Sequence, residues 1–74
     1  MGVLRVLGPG GDTKVEWDVD VEETVREAER ILKQNAIKGY VSFRVDDGID
    51  TAQRIEQFDP QAKQIVQVPT IMGG

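Results

Sequence analysis

The spacing of apolar and polar residues predicts how the first part of the chain folds. Residues 3–7 are a short, mostly apolar run, and residues 14–19 alternate strictly between apolar and polar. Turn-forming residues fill the segment Gly8–Asp12 between them, so the pattern predicts two strands joined by a hairpin turn. A phosphate-binding loop is the alternative for these glycines, but such a loop needs a helix directly after it. The alternation in residues 14–19 predicts that one face of the second strand carries Val15, Trp17 and Val19.

The apolar spacing then changes to a helical period. An apolar stripe at intervals of three and four residues predicts one amphipathic helix. Two capping boxes compete for its start, Asp20 with Glu23 and Thr24 with Glu27. Gly39 predicts the end of the helix or of the turn after it. The stripe consists of Val21, Val25, Ala28, Ile31 and Leu32.

Strand patterns return after the helix. Residues 40–46 alternate, residues 53–58 are compatible with a short strand, and residues 63–68 supply a final apolar strand. The loop Asp46–Asp50 carries three aspartates, but it lacks the spacing and the late glutamate of an EF-hand, so a solvated turn is the better interpretation than a calcium site. The alternation in residues 40–46 predicts that one face of that strand carries Val41, Phe43 and Val45.

Two stretches resemble known proteins and together cover about half of the chain. Ile65–Gly74 looks like the end of the ubiquitin-like sulfur carriers of molybdopterin and thiamine synthesis, in which a last strand runs through a proline into a terminal Gly-Gly. Gly11–Asp20, followed by Glu23–Val25, is similar to the hairpin and helix start of ubiquitin. This second resemblance favours Thr24 as the helix cap.

The resemblance implies an α+β chain with the β-grasp fold, a mixed sheet packed on one helix. We therefore expect a domain over residues 1–68 and a flexible tail over residues 69–74, with Pro69 ending the last strand because proline cannot donate to a sheet ladder. The right-handed crossover rule makes the first and last strands parallel neighbours at the sheet centre. The predicted core comprises Leu4, Val6, Val15, Trp17, Val25, Ala28, Leu32, Val41, Phe43 and either Ile65 or Val66.

Composition narrows the function. The net charge is −4, which argues against nucleic acid or an anionic membrane as partner and favours a basic partner surface. The 74 residues include neither cysteine nor histidine, so there is no thiol, no usual general base and no common zinc ligand. No nucleophile stands beside a base, and we expect no enzyme activity, bound cofactor or metal site. Without a signal peptide or a membrane-spanning run, we expect a cytoplasmic protein.

The resemblance implies a carrier whose chemistry lies at the C-terminus. A separate adenylating enzyme would use ATP and magnesium to activate the carboxylate of Gly74, with Gly73 beside it. Sulfur attack would then give a thiocarboxylate for a downstream biosynthetic enzyme, and attack by cysteine and then lysine would give a protein conjugate. Small glycines suit a narrow channel. The residues expected to thread the tail into the activating enzyme are Pro69, Thr70, Ile71 and Met72.

The main alternative is a noncatalytic β-grasp adaptor or small structural subunit, for instance of a phage particle or secretion assembly. The same scaffold hosts both roles, and two glycines also occur together by chance. A single helix covers little of a sheet, so we expect apolar residues on the second sheet face to serve binding.

Overall fold

One helix packs against one face of a five-stranded mixed sheet in residues 1–47 and 51–70, the residues that the computed structural model describes. The α+β class and the predicted order of the elements are confirmed. The elements are β1 (Gly2–Val6), β2 (Thr13–Trp17), α1 (Glu22–Ile37), β3 (Tyr40–Arg44), β4 (Gln53–Ile55) and β5 (Gln64–Pro69).

The strands lie in the order β2-β1-β5-β3-β4. Strand β1 runs parallel to β5, and the other three neighbouring pairs are antiparallel. The first and last strands are therefore parallel neighbours, as predicted. The glycine-rich segment makes the β1–β2 hairpin turn, in which the Gly11 N–H donates to the Gly8 carbonyl (3.1 Å). Gly11 adopts φ 120°, which favours glycine.

The covered face of the sheet, which meets α1, holds the core. Trp17 fills one end of it, opposite Gly2 on β1. Its ring meets that of Phe58 edge-on at 4.9 Å between centroids, and its indole N–H donates to the carbonyl of Pro60 (3.1 Å). These contacts tie the β4–β5 connection to the hairpin. The fully buried apolar residues are Leu4, Trp17, Ala28, Leu32, Ala62 and Ile65.

The prediction that Val41 and Phe43 belong to the core beneath the helix is wrong. Strand β3 turns the other set of its residues toward the helix, since Ser42 pairs with Gln67 and both are buried there. Val41 and Phe43 lie on the opposite face with Val66, which leaves Ile65 as the core residue of β5.

A buried glutamine explains how polar residues occupy the covered face. Gln67 is 0% exposed, and its side-chain amide donates to the Leu32 carbonyl (3.1 Å) and to Ser42 Oγ (3.0 Å). Its carbonyl oxygen accepts from the Asn35 amide (2.9 Å). Because buried polar groups are tolerated when they are hydrogen-bonded, these bonds join β5, β3 and α1, and no buried side-chain nitrogen or oxygen among the described residues lacks a hydrogen-bond partner.

Neither predicted capping box starts the helix. The N-cap is Val21, which makes no side-chain cap, and its N–H donates to the Asp18 carbonyl (2.9 Å). Thr24 instead ties the end of β2 to the first helical turn, because its hydroxyl accepts from the Asp18 N–H (2.8 Å). Val19, predicted to face inward, is 47% exposed in the intervening turn. The predicted end is confirmed, since Gly39 (φ 101°) follows the C-cap Lys38.

Charged side chains hold the start of β5. Arg44 donates to Asp46 (2.7 Å between Nε and Oδ2) and also contacts Asp59. Asp46 accepts from the Lys63 N–H (3.0 Å), and this bond, with the Arg44 guanidinium, keeps the pKa of the Asp46 carboxyl below its usual value. Residues 48–50 of the predicted aspartate turn lie outside the described residues. No helix in the described ranges is long and apolar enough to cross a membrane.

Candidate functional site

The C-terminal segment leaves from the middle of the sheet. Pro69 is the last residue of β5, opposite Tyr40, and it is exposed. The Thr70 hydroxyl donates to the carbonyl of Gly39, and the Thr70 N–H approaches the same oxygen at 3.4 Å. The glycine that ends the helix therefore also holds the residue that follows the last strand.

The remaining predicted tail residues cannot be compared with the structure. Ile71, Met72, Gly73 and Gly74 lie outside the described residues. Of the six residues predicted to thread or carry the tail, the structure thus places Pro69 and Thr70. Both lie at the point from which the last four residues depart.

The second candidate feature is the sheet face away from α1, which we call the open face. The helix packs on the other face, and most apolar side chains of the open face are half-buried. They enclose a cleft of about 330 Å³ with a wholly apolar lining. The lining residues are Leu7, Phe43, Val45, Ala52, Val66 and Val68.

One row of paired residues crosses the open face from edge to edge. Its members, in order across β2, β1, β5, β3 and β4, are Lys14, Arg5, Val66, Phe43 and Arg54. An apolar centre is therefore flanked by cations on both sides. Arg5 and Arg54 are three strand spacings apart, or about 14 Å between backbones.

The two arginines of this row differ from most cations of the protein. Salt bridges engage six of the nine Lys and Arg residues. Among the described residues, the side chains of Arg5, Arg54 and Lys38 have no such partner. Arg5 and Arg54 are exposed, so both guanidinium groups can take an incoming anion.

The described residues offer no evident place for a metal. Within residues 1–47 and 51–70, no group of three or more Asp, Glu, His or Cys side chains is arranged to hold an ion. Three of the four acidic side chains of the helix are ion-paired along its surface: Glu22 with Arg26, Glu27 with Arg30 and Glu29 with Lys33.

Comparison with known proteins adds no relative. No protein-family model, curated protein or solved structure is significantly similar to the chain. The resemblance to the sulfur carriers therefore rests on the residues quoted above.

Sequence reasoning missed two parts of this site and predicted a third, the apolar second face of the sheet. The role of Gly39 as an anchor for Thr70 had no sequence signal beyond the prediction of a helix end. The cations Arg5 and Arg54 come together with the apolar centre only through strand register, which single-strand patterns do not reveal. A signal did exist for the open face itself, because the chain has more inward-patterned strand residues than one helix can cover.

Proposed function

We propose that this chain is a β-grasp carrier or modifier whose Gly74 carboxylate is activated by a separate adenylating enzyme. The observation that carries the proposal is the position of the tail. It follows β5, the central strand of the order β2-β1-β5-β3-β4, in which the first and last strands are parallel. That order and a single packed helix support the β-grasp assignment.

The anchor at Gly39 gives the tail a defined origin. Beyond Thr70, four residues can extend about 13 Å from the domain. This length suits a carboxylate presented to a neighbouring active site while the domain stays outside. A fixed origin also reduces the conformational freedom lost when the tail is bound, which favours productive alignment.

The chemistry belongs to the carboxylate and to the partner enzymes. Attack of the Gly74 carboxylate on the α-phosphate of ATP, with magnesium in the activating enzyme, releases pyrophosphate and forms an acyl adenylate. Sulfide from a sulfur donor then displaces AMP and leaves a thiocarboxylate for a biosynthetic enzyme. Alternatively, a cysteine thiol of a partner enzyme displaces AMP to form a thioester, and a target lysine then displaces that thiol to form an amide. The chain itself contributes no acid, base or cofactor to these steps.

The test is the intact mass of the untagged protein purified from its native host, with and without a thiol-alkylating reagent. The proposal predicts a chain ending at Gly74 and a fraction in which one oxygen is replaced by sulfur, or conjugates of higher mass. Since the sequence has no cysteine, any alkylated species places the thiol at the terminus. The matched control lacks Gly73 and Gly74 and should show neither species.

A second candidate function, that of a noncatalytic adaptor, is favoured by the apolar cleft of the open face. An adaptor would give a single unmodified mass and a stoichiometric partner in the same purification. It would also keep that partner when Gly73 and Gly74 are deleted. The combination of these three results would replace the carrier proposal.

A further inference from the structure

We infer that the open face binds a partner-protein segment with apolar side chains at its centre and carboxylates on both sides. The inference does not depend on activation of Gly74. It rests on the row Lys14, Arg5, Val66, Phe43 and Arg54, and on the apolar cleft beside that row.

The cleft determines the size and polarity of the side chains that the partner can insert. Its volume of about 330 Å³ is enough for one or two large side chains, and its lining offers them no polar contact. Val66 and Phe43, neighbours in the row, form part of this lining. An apolar anchor buried between them would remove water from both.

Arg5 and Arg54 determine the charge that the partner should carry at the sides of the cleft. Among the described strands, the carboxylate on this face is Glu16, which is ion-paired with Lys14 (3.8 Å). Glu56, just after β4, lines a cavity together with Arg54 but forms no ion pair with it. The face is thus locally cationic although the whole chain carries −4. The net charge of the whole chain favours a basic partner, whereas a segment that docks on this face meets two guanidinium groups that have no salt-bridge partner within residues 1–47 and 51–70.

A second copy of the chain fits this face poorly. In a face-to-face pair, a two-fold axis along the strands, midway between Arg5 and Arg54, would lay Arg54 of one copy over Arg5 of the other. An axis across the strands would lay each arginine over itself. Either symmetry brings cations together without a counter-charge, which disfavours self-association through this face.

Strand geometry gives the spacing of the partner's carboxylates. The backbones of Arg5 and Arg54 are about 14 Å apart, which corresponds to roughly nine residues of a helix or four residues of an extended segment. The two long side chains allow several ångströms of adjustment. Either conformation can place apolar residues between the charges.

The test selects binders without assuming their sequence. A displayed library of random peptides is passed over the immobilised full chain, after depletion on the Phe43→Ser variant. We expect the enriched peptides to combine apolar residues with Asp or Glu on both sides. Enrichment of peptides without carboxylates, or no enrichment over the depleted background, would overturn the inference.

One enriched peptide is then titrated calorimetrically against variants. Arg5→Glu and Arg54→Glu should each weaken binding by about fivefold or more, and added salt should weaken binding to the unaltered chain. Lys38→Glu is the matched control, because it makes the same charge change at an unpaired cation off the sheet and should leave affinity within about twofold. Equal losses in all three variants would refute a role for this face.

Two further readouts distinguish binding at the open face from binding through the helix, the tail or a second copy. Amide shifts of the isotope-labelled chain on adding the peptide should map to β5 and β3, and a map to α1 would contradict the inference. Deletion of Gly73 and Gly74 should leave peptide affinity unchanged, so failure of the carrier proposal would not affect this result. A concentration-dependent dimer lost in Phe43→Ser would instead assign the face to a second copy.

Discussion

Replacing Gly2 by alanine should destabilise the protein through one contact. Gly2 is buried opposite Trp17, and a Cβ built on it would lie 2.0 Å from Cζ2 and 2.2 Å from Cε2 of the indole. Contacts below 3.0 Å require one partner to move. The added methyl group and the buried ring therefore compete for the same space.

The size of this loss of stability follows from the contacts that hold the indole of Trp17 in place. Trp17 is 1% exposed, and its movement would disturb the contact with Phe58 and the hydrogen bond to Pro60. Overpacking of this kind costs about 1–3 kcal/mol, and weakening the hydrogen bond adds roughly 0.5–1.5 kcal/mol. Loss of glycine freedom in the unfolded chain offsets about 0.4–1 kcal/mol. The expected net loss of unfolding free energy is about 2 kcal/mol.

Urea unfolding followed by the fluorescence of Trp17, the sole tryptophan, measures this loss. With a slope of about 1 kcal/mol per molar urea for a chain of this size, the midpoint should fall by roughly 2 M. Gly10→Ala is the matched control, because its Cβ would meet nothing within 4 Å, and its midpoint should stay close to that of the unaltered protein.

Equal midpoints for Gly2→Ala and Gly10→Ala would refute the reasoning. A second measurement locates the cause. In a Trp17→Phe background, followed by circular dichroism, the smaller ring leaves room for the methyl group, so Gly2→Ala should cost clearly less than in the unaltered protein. An undiminished cost there would place the strain elsewhere in β1.

Three further outcomes test other parts of the structure. Gln67→Leu should lower the unfolding free energy by about 1–3 kcal/mol, because it strips a buried hydrogen-bonded network of its central member; a neutral effect in chemical denaturation would argue against that network. Val41→Thr on the open face should cost less than about 1 kcal/mol and Ile65→Thr on the covered face more than about 2 kcal/mol, and the reverse order would restore Val41 to the core. Asp46→Asn should remove stability that is present above the usual carboxyl pKa and lost as pH falls through the lowered folded pKa; the gap between variant and unaltered protein, measured from neutral to acid pH, should therefore close at low pH, and a gap independent of pH would contradict the assignment.

The elements were predictable from the sequence because their signals are local. The alternation of Val15 and Trp17 defines a half-buried strand, the apolar stripe defines the helix, and Gly39 marks its end. Each of these signals depends on residues only a few positions apart. The resulting order was enough to predict that the first and last strands run side by side.

The orientation of β3 was not predictable in the same way. Its alternation separates Val41 and Phe43 from Ser42 but does not say which set faces the helix, and hydrophobicity favoured the wrong one. The deciding partners, Gln67 on β5 and Asn35 on α1, are distant in sequence. The candidate site shares this limit, since the row between Arg5 and Arg54 exists only once four strands are in register.

The prediction of the helix start was wrong for a different physical reason. Capping boxes are recognised by side chains, whereas here backbone hydrogen bonds between Asp18, Val21 and Thr24 make the turn into α1. The Thr24 hydroxyl bonds to the backbone of Asp18, just after β2, and to the carbonyl of the N-cap Val21, instead of capping a free N–H of the helix. A sequence pattern for caps does not describe this arrangement.

The parallel pairing of β1 with β5 has a consequence for how the molecule assembles. The β1–β2 and β3–β4 pairs close over shorter separations, but only β5 joins them, and its pairing with β1 spans about sixty residues. Until β5 inserts, each half exposes an unpaired strand edge and an apolar face. Such edges invite pairing between chains, so we expect truncation before β5 to produce aggregates rather than a smaller folded domain.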